Sequence, residues 1–304
     1  MNIKTTVKYR RSRLNEAISG YLFYLPFGVV YLAFLVYPIF RGLLLSFYKW
    51  NVLETPIFIG WGNYRVMASD STFWLSLKNT LYFTGVSTPL LIVIGLAMAV
   101  ALNVKFRGQQ FFRALFFSTY VLSISVVATI WLWLYQPQFG LINYYLTRIF
   151  HIAPPSWLAD THLAMNSIII VTIWWTAGFN IVLFLAGLQE IPQSLYEAAR
   201  IDGAGGWQSF WYITLPSLRY TILLVVVLQV IASFQIFGQV YIMTQGGPYG
   251  RTRVLVQYIY ENAFNYFKMG YAAAMAFVLF LIMAFFSSLQ FRLFAPTKLG
   301  KKGK

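Results

Sequence analysis

Residues 163–187, LAMNSIIIVTIWWTAGFNIVLFLAG, run for 25 positions without an Asp, Glu, Lys, Arg or His. A hydrocarbon core roughly 30 Å thick needs about 20 consecutive apolar residues of helix, so this stretch is long enough to cross a bilayer. It does not alternate polar with apolar residues as a barrel strand would. Five more runs of the same kind lie at Gly20 to Phe40, Asn79 to Leu102, Ala114 to Tyr135, Tyr220 to Met243 and Met269 to Phe291. The expected fold is an all-α membrane protein with six transmembrane helices. Pro26, Pro38 and Pro89 fall inside spans, where each removes a backbone donor and is expected to kink its helix.

The composition of the whole chain agrees. Of its 304 residues 59% are hydrophobic, 19% aromatic and only 10% charged, which rules out both a water-facing globule and a disordered chain. The net charge of +15 would suit nucleic acid if it were gathered on one face, but the basic residues sit between apolar blocks. They read instead as topology signals. Without cysteine the chain has no disulfide, thiol nucleophile or thiolate metal site. His151 and His162 are eleven residues apart with Asp160 between them, a spacing that fits no compact metal site, so both read as loop histidines. Glu190, Glu197 and Asp202 share a connection that offers no pocket, and no catalytic or metal-binding residue is assigned.

Fifteen of the 23 Lys and Arg residues fall in the N-terminal tail, the second-to-third and fourth-to-fifth connections and the C-terminal tail. The other side carries eight, so the positive-inside bias places both termini in the cytoplasm. The first span follows basic residues as a signal peptide would, but its length and the lack of a small-x-small cleavage site read as an uncleaved anchor. The expected organisation is a basic cytoplasmic tail over 1–19, a membrane domain over 20–291 and a second basic tail over 292–304. Trp50, Trp61, Trp74, Trp133, Trp157 and Trp211 lie near span ends and read as interfacial belt residues.

One cytoplasmic connection is too long to be a simple turn. Residues 188–219 read LQEIPQSLYEAARIDGAGGWQSFWYITLPSLR. Pro192 and Ser194 suit a helix start, Ser194 and Glu197 have capping-box spacing, and a short helix is expected over Leu195 to Ile201. Gly203, Gly205 and Gly206 end it, and a second amphipathic stretch over Trp207 to Ile213 leads to Leu215-Pro216. The small Ala198 and Ala199 allow close approach by another backbone, while Glu197 and Asp202 offer carboxylates to basic partners. Acidic residues fit poorly on an anionic leaflet, so the segment reads as a docking knob.

Glu197-Ala198-Ala199, Gly203, Ile213 and Leu215-Pro216, at these spacings, resemble the "EAA" loop of integral membrane subunits of binding-protein-dependent ABC importers. Ser233-Phe234-Gln235-Ile236 through Thr244-Gln245-Gly246-Gly247-Pro248 resembles the stretch ending in T-x-G-G-P of the carbohydrate branch, of maltose and glycerol-phosphate type. That branch often has an aspartate where Gln235 stands. Phe58-Ile59-Gly60 to Asn63-Tyr64 is similar to the same branch. The resemblance implies a type I permease subunit in the inner membrane of a bacterium or archaeon. Its coupling loop would dock on a separate, dimeric ATPase through Glu197, Ala198, Ala199, Asp202 and Gly203. ATP and magnesium would be bound by that partner, since no phosphate loop occurs in this chain. A second, homologous permease subunit and an extracytoplasmic solute-binding protein are also implied, the latter meeting the loops around Trp61, Trp157 and Gly246-Gly247-Pro248.

The spans hold no ionisable counter-charge, which favours a neutral, hydroxyl-rich solute such as a sugar. Trp174, Trp175, Thr176 and Asn180 in the fourth span and Gln229, Ser233, Gln235 and Gln239 in the fifth supply the aromatic faces, amides and hydroxyls that bind such a solute. An ion-coupled secondary transporter of a neutral polar solute is the alternative. The absence of a buried proton-relay residue argues against it, although carbonyls and hydroxyls alone can hold sodium.

Overall fold

The computed structural model describes residues 19–104 and 106–294. The tails expected over 1–19 and 292–304 lie almost wholly outside the described residues, as does Lys105. Among the described residues five helices are long and apolar enough to cross a membrane: Ser19–Leu45, Ser71–Asn103, Ala164–Gln189, Arg219–Met243 and Met269–Arg292. A bent pair, Gln109–Val121 and Ile124–Leu134, makes six when counted as one broken span. By contact the chain divides into two compact units. One takes in the chain up to Ala68 with Asn262–Phe277, the other Ser69–Glu261 with the chain from Val278 onward.

In the first unit, the long helix Ser19–Leu45 contains a π turn at Leu32–Val36, two residues ahead of Pro38. The wider turn makes room for a ring that would otherwise strike the carbonyl of the preceding turn. A two-stranded antiparallel hairpin follows, pairing Tyr48 with Phe58 and Lys49 with Ile57. Asn63, buried at the start of helix Gly62–Ser69, donates through Nδ2 to the carbonyls of Ser46 (2.8 Å) and Tyr48 (2.9 Å). This contact ties helix to hairpin and gives part of the Phe58-to-Tyr64 motif a structural role.

The second unit is built round the fourth span, Ala164–Gln189, which contributes to three apolar clusters among the described residues. Lipid gives helices no hydrophobic reason to associate, so their contact depends on close packing and hydrogen bonds. Gly178 supplies the closest approach: a Cβ there would overlap the backbone carbonyl of Phe116. On the second span, Gly95 leaves room for Asn180 and Phe184.

Two expectations of continuous helix fail. The run from Ala114 to Tyr135 is not one continuous helix but two helices meeting at 97°. Leu122 and Ser123 are extended (ψ 140° and 148°), and the Ser123 hydroxyl accepts the Val126 N–H at 3.4 Å, so an internal serine starts a new helix. The fifth span is also interrupted. Its helix Arg219–Phe234 stops at Gln235 and resumes as Gly238–Met243, with Phe237 at φ −147°, ψ −59° between them.

Candidate solute cavity and docking loop

A cavity of about 360 Å³ lies at these two interruptions. Tyr120 and Ile124 flank the break in the third span, Gln235 to Gln239 form the break in the fifth, and Thr172, Trp175 and Thr176 of the unbroken fourth span face them. Six of the eight residues expected to line the solute path meet here: Trp175, Thr176, Gln229, Ser233, Gln235 and Gln239. No carboxylate, amine, guanidinium or imidazole joins them. Gly238 sits where a Cβ would meet Ile124 Cδ1 at 2.9 Å, so the two broken ends touch.

The other two expected residues do not line this cavity. Trp174 is 42% exposed and turns its ring edge-on to Trp131 at 5.7 Å, because its position on the helix points it away from the breaks. Asn180 is 1% exposed and lies one layer behind. Its Nδ2 donates to Gln229 Oε1 (3.3 Å), and Gln229 Nε2 donates to Ser233 Oγ (3.4 Å), which also meets the hydroxyls of Thr88 (3.3 Å) and Ser87 (3.4 Å). Asn180 therefore orients a lining amide. Thr176 donates to the Thr172 carbonyl (2.7 Å). Tyr120 and Ile124 were missed in the sequence because an unbroken third span would not have brought them to the fourth and fifth spans. The signal for the break was Ser123, a cap residue inside an apolar run.

The docking loop begins with helix Gln193–Ile201, two residues earlier than expected. Ser194 lies inside the helix and caps nothing, so the expected capping box is absent; Pro192 precedes the first turn, with its fixed φ already suited to a helix start. The far end closes in a Schellman arrangement. Gly203, at φ +81°, donates to the Arg200 carbonyl (3.1 Å), and Ala204 donates to that of Ala199 (2.8 Å). Glu197, Ala198, Asp202 and Gly203 are exposed and Ala199 is half-buried. Ile201, 87% exposed, adds an apolar tip. The expected second stretch, Trp207 to Ile213, begins at Gly206 and continues to Ser217 through a π turn at Phe210–Thr214, again two residues before a proline, Pro216. The hydroxyls of Tyr196 and Thr214 share a hydrogen bond of 2.9 Å, which joins the two arms of the loop.

On the connections assigned to the other side, Trp157 is half-buried. It stacks on Tyr135 at 5.2 Å and donates through Nε1 to Asn143 Oδ1 at 2.8 Å. Trp61 is exposed. The Gly246-Gly247-Pro248 loop is anchored by Asn79 Nδ2 donating to the carbonyls of Gly250 and Arg253 (both 2.9 Å), and it presents Tyr249, 93% exposed, at its tip. His151 ends the helix Leu141–Phe150 at φ +52°. Asp160 accepts the backbone N–H groups of His162 (2.7 Å) and Leu163 (3.1 Å), which hold its carboxyl below the usual carboxylate range.

Comparison with known proteins follows the same outline. The family described as "binding-protein-dependent transport system inner membrane component" matches residues 91–297. The chain is 36% identical over 285 residues to the probable ABC transporter permease protein YurN of Bacillus subtilis (strain 168), covering 92% of this chain and 97% of that protein. It is also 36% identical over 279 residues to the lactose transport system permease protein LacF of Rhizobium radiobacter, covering 90% and 93%. Among solved structures, a chain of a bacterial ABC transporter involved in import of the acidic polysaccharide alginate shares the fold. The TM-score is 0.79 at 24% identity, with 95% of this chain and 99% of that one covered.

Proposed function

This chain belongs to the inner membrane components of binding-protein-dependent transport systems, and on that premise we propose that its cavity passes a neutral sugar delivered from outside by a solute-binding protein. The observation that carries the reading is the chemistry of the cavity wall. Trp175 offers a flat face to the apolar side of a sugar ring, while Gln229, Gln235, Gln239 and Thr176 offer donors and acceptors for its hydroxyls. No fixed charge in the wall would favour an ionic solute. Broken helices at such a site leave backbone polar groups unpaired, which membrane proteins tolerate where the break lines a cavity.

The loop over 188–219 is the proposed coupling element. Its exposed Glu197 and Asp202 would pair with basic groups of a cytoplasmic ATPase, Ala198 and Ala199 would let the two backbones approach, and Gly203 would turn the chain out of the contact. ATP and magnesium would sit in that partner, and a second permease subunit would complete the pathway. The Schellman closure supports this role because it keeps a short helix from fraying, so that it can transmit force.

The test is uptake of maltose, trehalose and lactose into liposomes that hold the complete transporter, with ATP on the coupling side. Expected is ATP-dependent uptake of at least one sugar, lost when Glu197 is replaced by Lys. Uptake by this chain alone, driven by an ion gradient without ATP, would overturn the reading.

A further inference from the structure

Trp175 has two ends that do different things. Its ring lines the cavity, while its indole N–H donates at 3.0 Å to the carbonyl of Leu122, the residue at which the third span turns through 97°. Leu122 is extended and its carbonyl has left the helical ladder. Thr119 reinforces the junction, its hydroxyl shared between the carbonyls of Phe116 (3.0 Å) and Trp175 (3.3 Å). On the other side of the bend Ile124 abuts Gly238, at the break in the fifth span.

We propose that Trp175 is a positioning residue that latches the bend of the third span through its N–H to the Leu122 carbonyl and releases it when a sugar ring stacks on the indole. The inference rests on the cavity being the solute site. A carbonyl that has left the helical ladder still needs a donor, and the indole N–H supplies one, so the bend stays defined while the indole stays put. An arriving sugar must lie flat on the ring, and a small tilt of the ring moves the N–H out of line, where a hydrogen bond weakens steeply. The contact between Ile124 and Gly238 passes the resulting movement to the fifth span. Occupancy of the cavity and the shape of two spans thereby become one equilibrium.

The absence of native cysteine allows a direct measurement. Phe117 and Ile130 lie on the two arms of the bend, and both side chains are exposed. Spin labels on Phe117→Cys and Ile130→Cys, in the complete transporter in nanodiscs, report the bend as a distance distribution. Maltose, bound to a maltose-specific solute-binding protein if the native one does not take it, serves as the probe sugar. In the parent protein the distribution is narrow without sugar and shifts with it. Trp175→Phe keeps an aromatic face but removes the N–H, so the sugar-free distribution loses its single narrow peak. The ratio of sugar-stimulated to basal ATP hydrolysis falls roughly three- to twentyfold, the span expected from one hydrogen bond within a membrane protein. If Trp175→Phe does not assemble, benzothienylalanine at position 175 removes the N–H at constant shape.

A Trp175→Phe distribution and stimulation ratio identical to the parent's would overturn the latch. Trp175→Ala separates this from the underlying site reading, because it loses the ring as well as the N–H and should therefore raise the half-maximal sugar concentration above that of Trp175→Phe. If Ala and Phe give the same value, the cavity assignment falls and the latch with it; if Ala raises it and Phe behaves as the parent, the latch alone falls.

Discussion

Glycine can be required for two unrelated reasons, and Gly178 and Gly203 separate them. Gly203 has open space where a Cβ would point but sits at φ +81°, so Gly203→Ala is limited by backbone conformation alone and should cost about 1 kcal/mol. Gly178 has ordinary helical surroundings but no room, since its Cβ would overlap the Phe116 carbonyl; Gly178→Ala should therefore cost roughly 2–3 kcal/mol by forcing two helices apart. Melting temperatures of the two variants in detergent should fall in that order, with Gly178→Ala the lower. Only the first glycine was legible in the sequence, because a helix end has a local signature and a helix crossing has none. The same distinction applies to the solute path. Asn180→Ala should weaken sugar stimulation indirectly, by leaving Gln229 Oε1 without its donor, whereas Trp174→Ala should leave the concentration dependence of uptake as it is. Both residues carry the right chemistry, but spacing within one helix could not say which faces the cavity.

At the level of elements, the decisive features are interruptions. Hydropathy finds spans because every apolar residue adds to the sum, but for the same reason it passes over a break made by one serine, as at Ser123, or by an unusual backbone pair, as at Gln235 to Phe237. Helix starts outside the membrane follow ordinary capping rules. Asp160 lies in the turn before the fourth span, its folded carboxyl is held low by the N–H groups of His162 and then Leu163, and its unfolded value is about 3.9. A lowered folded value means that the unfolded state binds the extra proton. The stabilisation is thus complete above about pH 4 to 5 and is lost as pH falls through the folded value. Asp160→Asn should flatten the decline of melting temperature with acid below about pH 4. In the docking loop, Tyr196→Phe removes the bond to Thr214 that joins its arms; about 1 kcal/mol of local order should be lost. Faster amide exchange over residues 193–201, with the spans unchanged, is the measurement.

For the whole molecule, sidedness is the property to test, since it rests on the distribution of Lys and Arg. The absence of cysteine makes single replacements clean. Leu53→Cys and Tyr249→Cys, both at highly exposed positions, should react with an impermeant maleimide from outside intact spheroplasts, whereas Asp202→Cys should react only after permeabilisation. Reaction of Asp202→Cys from outside would place the docking loop on the wrong face for an ATPase.

What the sequence determined by itself is what depends on sums and on local chemistry. The length of uncharged runs requires a bilayer, the bias of basic residues gives an expected sidedness, and the Glu197-to-Pro216 spacing marks a loop with its own short helices. What tertiary structure alone decided is where those parts meet. That the breaks at Leu122 and Gln235 come together, that Trp175 reaches one of them, and that Asn180 stands behind Gln229 rather than beside it depend on helix rotation and close approach. Such contacts are made between residues from about 50 to more than 100 positions apart, and no local pattern encodes them.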